Sequence, residues 1–332
     1  MREGRVLPMI SIAEAGRQEV DYIQGRKDGT IMSLKTPWYK LNKATMDGIE
    51  WGSIMTIAGM SGSGKTAILN VLETGLFEKN PTQDFGVLSF NFEMTAKRLV
   101  GRKISSKLQK SVKELYSADL DAAEKIAKLN MNGRIVTPRD LLTQRDIDAA
   151  RSYVEEELSK YDVTYVDKSG TVKQIIATIE ARLSRDDFKQ NPDKGLLVTL
   201  DHSILVRGEG NVNEILYELA SGFNDVKKFR KTAFIIVSQL NRSIESFERK
   251  TKNTLHYPQK SDVFGADALY MYSDVFLITH RPEMLNLVAY GPHNLPVKDK
   301  IYWHFIKTRD GEPFITRMVN NLRTNTITQD KS

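Results

Sequence analysis

The chain has 332 residues, 40% of them hydrophobic, and contains no cysteine. This length and composition suffice to bury a sizeable core, while the absence of cysteine excludes disulfides and thiolate metal sites. No N-terminal run resembles a signal peptide, and no apolar stretch approaches the ~20 residues that span a bilayer. We therefore expect a soluble cytoplasmic protein with no membrane contact. The net charge of +6 permits a polyanionic partner without requiring one.

The first part of the chain, residues 1–35, is polar and contains one short amphipathic stretch. A helix is predicted within residues 11–24, where four apolar residues fall near one face: Ile12, Ala15, Val20 and Ile23. A helix of this length is marginal alone in water, so we expect its apolar side to dock on the domain or on a neighbouring subunit. We assign residues 1–35 to an arm with a linker helix, and residues 36–332 to one globular domain.

Strand-like and helix-like segments alternate through the domain, which indicates an α/β fold with a mostly parallel sheet flanked by helices. Seven strands are predicted, at residues 53–58, 87–92, 163–166, 196–201, 233–238, 274–279 and 301–306. Apolar residues at the 3.6-residue period predict helices at 172–183 and 212–226. Four cations at the end of the second helix are interpreted as helix-terminal charges: Lys227, Lys228, Arg230 and Lys231. The polar stretch 99–162, which contains Lys103, predicts helices and no strand.

The most informative local pattern is a glycine loop between a strand and an amphipathic helix. The sequence G-M-S-G-S-G-K-T fits G-x-x-x-x-G-K-[S/T], and the flanking elements disfavour a merely flexible turn. Small residues let backbone N–H groups surround phosphate oxygens, while Lys65 adds positive charge and Thr66 a hydroxyl for Mg²⁺. The predicted residues for binding ATP and Mg²⁺ are Gly59, Ser61, Gly62, Ser63, Gly64, Lys65, Thr66 and Ala67.

Three further strands end on polar side chains, and the carboxyl ends of parallel strands meet at one edge of a sheet. Asp201 closes L-L-V-T-L-D and is predicted to hold Mg²⁺, with simple strand capping as the alternative. Glu93 closes V-L-S-F-N-F-E and is predicted to be a general base. Its alternative is an acid favoured by the dipole of a following helix. Gln239 closes A-F-I-I-V-S-Q, where an amide can sense a γ-phosphate.

Five motifs in order, G-M-S-G-S-G-K-T, F-N-F-E-M-T-A-K-R-L, L-L-V-T-L-D-H, V-S-Q-L-N-R-S-I-E and I-K-T-R-D-G, resemble the RecA-like motor domain of DnaB-type replicative helicases of bacteria and phages. The resemblance covers about residues 11–323. It implies a homohexameric ring that hydrolyses ATP in the cytoplasm of a bacterial or phage-infected cell. It also implies single-stranded DNA as a partner, with primase or a helicase loader as further partners. His202 departs from the pattern, because a tyrosine is usual there.

The resemblance assigns roles that local patterns leave open. Lys307 and Arg309 would act as catalytic fingers in the next subunit's nucleotide site, although two cations at a strand end can also be simple surface charges. The segment 261–267 matches a central-channel loop that grips the DNA backbone. The predicted DNA-contacting residues are Phe264, Gly265 and Ala266 in that loop, with Arg207 and Arg242 as candidates for long-range attraction.

The sequence thus predicts a ring-forming, ATP-hydrolysing helicase motor that moves along single-stranded DNA and unwinds duplex DNA. One alternative is a RecA-like recombinase or repair ATPase that forms filaments. The motif S-Q-L-N-R-S and the early linker helix favour the helicase over this alternative. A second alternative is a non-motor loading module gated by nucleotide, against which the presence of Glu93, Asp201, Gln239 and Arg309 argues.

Overall fold

The computed structural model describes residues 8–116, 142–309 and 311–330. These residues form a nine-stranded sheet with strands β1 Ile54–Gly59, β2 Phe85–Asn91, β3 Val163–Val166, β4 Gly195–Asp201, β5 Thr232–Gln239, β6 Val275–His280, β7 Lys300–Thr308, β8 Phe314–Asn321 and β9 Thr326–Gln329. Their order across the sheet is β3-β2-β4-β5-β1-β6-β7-β8-β9. The six strands from β3 to β6 in this order are parallel, and β7, β8 and β9 are antiparallel to their neighbours.

The helices among the described residues are α1 Ile12–Asp28, α2 Tyr39–Ala44, α3 Lys65–Lys79, α4 Ala96–Leu108, α5 Val112–Tyr116, α6 Gln144–Ser152, α7 Val172–Leu183, α8 Asp186–Lys189, α9 Val212–Phe229, α10 Phe247–Thr251 and α11 Ala266–Tyr272. Both helices predicted from periodicity begin at a capping box, Thr171 with Gln174 for α7 and Asn211 with Glu214 for α9. In the last turn of α9, Lys227 pairs with Asp274 at 3.0 Å.

All seven predicted strands are present, with ends within two residues of the prediction. The strands β8 and β9 were not predicted. They lie at the edge of the sheet, where Met318 of β8 and Ile327 of β9 are buried in the apolar core and Phe314 of β8 is partly buried against it. The period-two signal in this polar sequence is therefore weak. Near the predicted domain boundary at residue 36, Leu34 is fully buried and pairs with Ile49.

The sheet is covered on both faces, which explains why its parallel strands are continuous apolar runs. In β4, Leu196, Val198 and Leu200 pack in one core cluster, whereas Leu197 packs in the other. Helices α7 and α9 cover the first face and α3 covers the second. This two-layer burial holds the parallel strands in place, so their carboxyl ends form one fixed edge.

The predicted linker helix corresponds to α1, which extends to Asp28. Its N-cap is Ser11, whose side chain accepts a hydrogen bond from the backbone N–H of Glu14. None of its residues is buried, and the apolar side chains of Ile12, Val20 and Ile23 are exposed. Within residues 8–116, 142–309 and 311–330, the domain therefore leaves the apolar side of α1 uncovered. No helix in these ranges combines the length and apolar character that a membrane span requires.

A fully buried ion pair joins α3 to α4. Lys103 Nζ lies 2.8 Å from Glu73 Oε2, and both side chains are at most 4% exposed. The same carboxylate accepts hydrogen bonds from Ser89 on β2 and Tyr165 on β3. Glu73 therefore connects the phosphate-loop helix to two strands and to the helix that follows Glu93. The sequence pattern, which placed Lys103 in a polar stretch, gave no indication of this burial.

Replacing Lys103 with methionine should be strongly destabilising, because the Glu73 carboxylate would remain buried without its cation. We expect Lys103→Met to lower the free energy of unfolding by ~3–5 kcal/mol, as measured by urea denaturation. The matched control is Lys107→Met, since the Lys107–Glu157 pair is about half exposed and should contribute at most ~1 kcal/mol. Equal urea midpoints for the two variants would contradict this prediction.

Candidate active site

The candidate site lies at the carboxyl edge of four neighbouring parallel strands, β2, β4, β5 and β1. The hydrogen-bond register places Gly59 opposite Gln239 and Asn91 opposite Asp201. The strand ends therefore lie level within each of these two pairs, and β5 extends two residues beyond β4. Glu93 follows two residues after the end of β2. A cleft of about 410 Å³ at this edge is lined by nine of the predicted residues: Ser61, Gly62, Gly64, Lys65, Thr66, Ala67, Glu93, Asp201 and Gln239.

The phosphate loop needs glycine at defined positions. Gly62 and Gly64 have φ angles of 77° and 98°, which L side chains rarely adopt, and Gly64 is the N-cap of α3. At Gly59 the obstacle is space, since a Cβ atom there would lie 2.4 Å from Ser63 Oγ and 2.7 Å from the carbonyl oxygen of Thr279. The loop is therefore a tight cradle at a helix N-terminus, the geometry that suits a phosphate group.

Lys65 is the half-buried cation of this cradle. Its Nζ donates to the carbonyl oxygens of Gly59 and Met60, each at 2.8 Å. Burial lowers the pKa of Lys65 to about 8, although the nearby carboxylates of Asp201 and Glu93 oppose this effect. Part of the positive charge at the loop is therefore lost just above neutral pH.

Thr66 and Asp201 lie in direct contact, since the Thr66 hydroxyl donates to Asp201 Oδ2 at 2.8 Å. Burial raises the pKa of Asp201, and the hydrogen bond from Thr66 opposes that rise. A hydroxyl beside a carboxylate is a donor set of the hard oxygen type that Mg²⁺ prefers. The predicted Ser63 is fully buried and does not line the cleft, and its Oγ has no hydrogen-bond partner among the described residues. These residues fit the predicted nucleotide and metal.

Glu93 and His202 face each other across the cleft. The side chain of Glu93 is exposed, and His202 Nε2 lies 3.8 Å from Glu93 Oε2. Burial lowers the pKa of His202, so its imidazole is neutral near pH 7 and the contact is not an ion pair at that pH. Among the described residues no cation pairs with the Glu93 carboxylate near pH 7, and Glu93 lines the cleft, as a general base requires.

The sequence analysis missed other residues that line the cleft: Arg102, Arg281, Leu322 and Asn325. Arg281 directly follows β6, which is next to β1 at the same edge, so the reasoning that identified Gln239 applies to it as well. Leu322 and Asn325 lie between β8 and β9, and were missed because those strands were missed. Arg102 lies on α4 and carried no local signal.

Lys307 and Arg309 lie at the opposite edge of the sheet. Strand β7 runs antiparallel to β6, so its carboxyl end lies beside the amino end of β6. Lys307 Nζ donates to the carbonyl oxygen of Tyr270 at 2.6 Å, and Arg309 Nη1 lies 2.9 Å from Asp274 Oδ1. The Arg309 side chain is 61% exposed. The chain therefore does not bring these two cations to its own cleft.

The predicted DNA loop leads away from Gln239. The backbone N–H of Phe264 donates to the Gln239 carbonyl oxygen at 3.0 Å, so this N–H is engaged within the chain. Gly265 has a φ of 65°, and a Cβ atom there would lie 2.0 Å from Leu216 Cδ1, so glycine is required. Arg207 and Arg242 are both exposed. The DNA roles of these residues stay predictions.

Comparison with known protein families decides the classification. The model of the DnaB-like helicase C terminal domain matches residues 33–324. The chain belongs to this DnaB-like family. The family resemblance inferred from the motifs is thereby confirmed.

Solved structures show the same fold for this DnaB-like domain. A structure described as an ATPase domain has a TM-score of 0.73 and 17% identity, covering 98% of this chain and 100% of that one. A DnaB-like replicative helicase, described with its interactions with primase, gives the same score and identity over 98% of this chain and 68% of that one. A KaiC-like protein from Pyrococcus horikoshii OT3 has a TM-score of 0.51 and 13% identity, covering 90% and 99% of the chains. The predicted RecA-like fold is confirmed, while a comparison with curated protein sequences gave no match.

ATP binding by this DnaB-like domain should weaken as pH rises through about 8, because Lys65 of the nucleotide-free protein then loses its proton. A bound phosphate favours the charged ammonium, so binding at pH 9 should take up a proton and affinity should fall by up to ~10-fold per pH unit. Isothermal titration calorimetry in two buffers of different ionisation enthalpy measures this uptake. Lys65→Arg, whose guanidinium stays protonated, should show no proton uptake. An affinity of the wild type that does not change with pH would refute the lowered pKa of Lys65.

Proposed function

We propose that this chain is the ATP-hydrolysing motor of a ring-forming replicative DNA helicase, which moves along single-stranded DNA and separates duplex strands. The observation that carries the proposal is the cleft in which the phosphate loop meets Glu93, Asp201 and Gln239, in a chain of the DnaB-like family. Cytoplasmic location in a bacterial or phage-infected cell is part of the proposal. The family match favours this function over a filament-forming recombinase.

The residues of the cleft support in-line attack of water on the γ-phosphate of ATP. Lys65 supplies the charge beside that phosphate, and Glu93 accepts the proton of the attacking water. Thr66 and Asp201, which are hydrogen-bonded to each other, would hold Mg²⁺. When bound, Mg²⁺ neutralises charge on the phosphate oxygens. Gln239 senses the γ-phosphate with its side chain while its carbonyl oxygen holds Phe264, so it joins the cleft to the DNA loop.

The remaining catalytic charge comes from a neighbouring subunit in this proposal. Lys307 and Arg309 lie at the edge of the sheet away from their own cleft, and the exposed Arg309 can exchange its contact with Asp274 for a phosphate across an interface. The uncovered apolar side of α1 supports docking on the adjacent subunit. Both features fit a homohexameric ring closed by repeated head-to-tail contacts.

Single-stranded DNA is the proposed polyanionic partner. The exposed Arg207 and Arg242 would attract it over distance, and the backbone of Gly265 and Ala266 would contact its phosphates. We also propose primase or a helicase loader as a protein partner, supported by the similarity to a replicative helicase that was described with primase.

The proposal is tested by ATP turnover with and without single-stranded DNA. Turnover by the wild type should be stimulated by DNA. Glu93→Gln should still bind ATP but hydrolyse it ~10²–10⁴-fold more slowly, because an amide cannot accept the proton. Glu218→Gln, which changes an exposed carboxylate on α9, is the matched control and should behave as wild type. If single-stranded DNA did not change the rate of ATP hydrolysis, the proposed motor function would be refuted. Near-normal turnover in Glu93→Gln would refute the assignment of Glu93 as the general base.

A further inference from the structure

Residues 241–262 form an excursion that projects from the junction between the nucleotide cleft and the DNA loop. Its two ends are joined by a bridge between Leu240 and Val263, next to the hydrogen bond from Phe264 to Gln239. The excursion is therefore attached directly to the end of β5, where the Gln239 side chain lines the cleft. The excursion contains the short helix α10.

The base of the excursion is held by hydrogen bonds between Arg249 and Asp262. Both Asp262 carboxylate oxygens accept from the Arg249 guanidinium at 3.0 Å, and Asp262 is buried. Arg249 also donates to the carbonyl oxygens of Leu255 and Tyr257. Because the Arg249 guanidinium binds a buried carboxylate and two backbone carbonyl oxygens, it anchors α10 to the rest of the excursion.

The first residue of α10, Phe247, is presented at the surface of this support. Its side chain is 82% exposed, the highest value for any aromatic residue in the described ranges. A single exposed ring is common on protein surfaces, so exposure alone carries no function. What distinguishes Phe247 is that cations lie near it in the sequence and that its helix is anchored through Arg249.

Two of the cations near Phe247 in the sequence are available to bind phosphate groups. Arg242 and Lys250 are exposed and make no ion pair within residues 8–116, 142–309 and 311–330. The other two cations of the excursion's helical part are engaged, Arg249 with Asp262 and Lys252 with Glu248. Glu245 is the remaining acid nearby. An exposed aromatic face with a cation on either side in the sequence is the combination that binds single-stranded nucleic acid, where rings stack on bases and cations contact phosphates.

We propose that Phe247 is a stacking platform for a base of single-stranded DNA, with Arg242 and Lys250 contacting the adjoining phosphates. This inference rests on the proposed helicase function and specifies how the DNA is held. It also compensates for the Phe264 N–H, which is engaged by Gln239 and cannot hold a phosphate. Stacking suits a motor that must accept any sequence, because every base has a π-face.

The test measures binding of single-stranded DNA in the presence of a non-hydrolysable ATP analogue. Phe247→Ala should weaken the affinity for an oligo-dT strand by ~5–100-fold in fluorescence anisotropy, whereas Phe247→Trp should retain it. A strand with one 2-aminopurine should be quenched by the wild type and less by Phe247→Ala. The matched control is Phe229→Ala, which removes a 77% exposed ring at the end of α9, beside the amino end of β5, and should bind as wild type.

The outcomes separate this inference from the function on which it rests. If the wild type binds DNA and Phe247→Ala binds and quenches equally well, the stacking platform is refuted and the helicase proposal stands. A second outcome also refutes the inference: Phe247→Ala weakens binding only because the oligomer becomes smaller, and the wild type does not quench 2-aminopurine. The Phe247 side chain would then contact another subunit. If the wild type binds no single-stranded DNA, the proposed function itself fails.

Discussion

The parallel register of β1, β2, β4 and β5 is the constraint on which the candidate site depends. Backbone hydrogen bonds set Gly59 level with Gln239 and Asn91 level with Asp201, and the apolar layers on both faces bury these strands. A slip by one residue would exchange the side chains of a strand between two close-packed core clusters, so packing on both faces specifies the register. The polar groups at the strand ends are therefore held together by a core that lies beneath them.

The same sheet separates the cleft from the cations proposed to complete it. Because β7 reverses direction, Lys307 and Arg309 emerge at the amino edge, where Asp274 pairs with Arg309 and with Lys227 and also accepts from the backbone N–H of Ile54. A chain with its phosphate loop at one edge and an exposed arginine at the other is suited to head-to-tail assembly. In our proposal, each nucleotide is thus enclosed by two copies of the chain.

Much of this arrangement could be predicted from sequence because its signals are local. The phosphate loop is a contiguous motif, and Glu93, Asp201 and Gln239 each close an apolar run. The burial of Lys103 could not be predicted, since its partner Glu73 lies 30 residues away and no periodicity connects them. Likewise, the edge strands β8 and β9 show little alternation of apolar and polar residues. The position of Leu322 and Asn325, which lie between these strands and line the cleft, could therefore be found only from the tertiary structure.

The central claim, that each active site is shared between two copies, is tested most directly by mixing two inactive variants. Lys65→Ala removes the phosphate-loop cation from one side of an interface, and Arg309→Ala removes the proposed finger from the other. Each should be inactive alone, since a finger supplied in trans contributes ~10³–10⁵-fold to the rate. Mixed rings contain some interfaces with both cations present, so we predict that mixing restores part of the ATPase activity. Absence of activity in demonstrably mixed assemblies, or normal hydrolysis by Arg309→Ala alone, would contradict the claim.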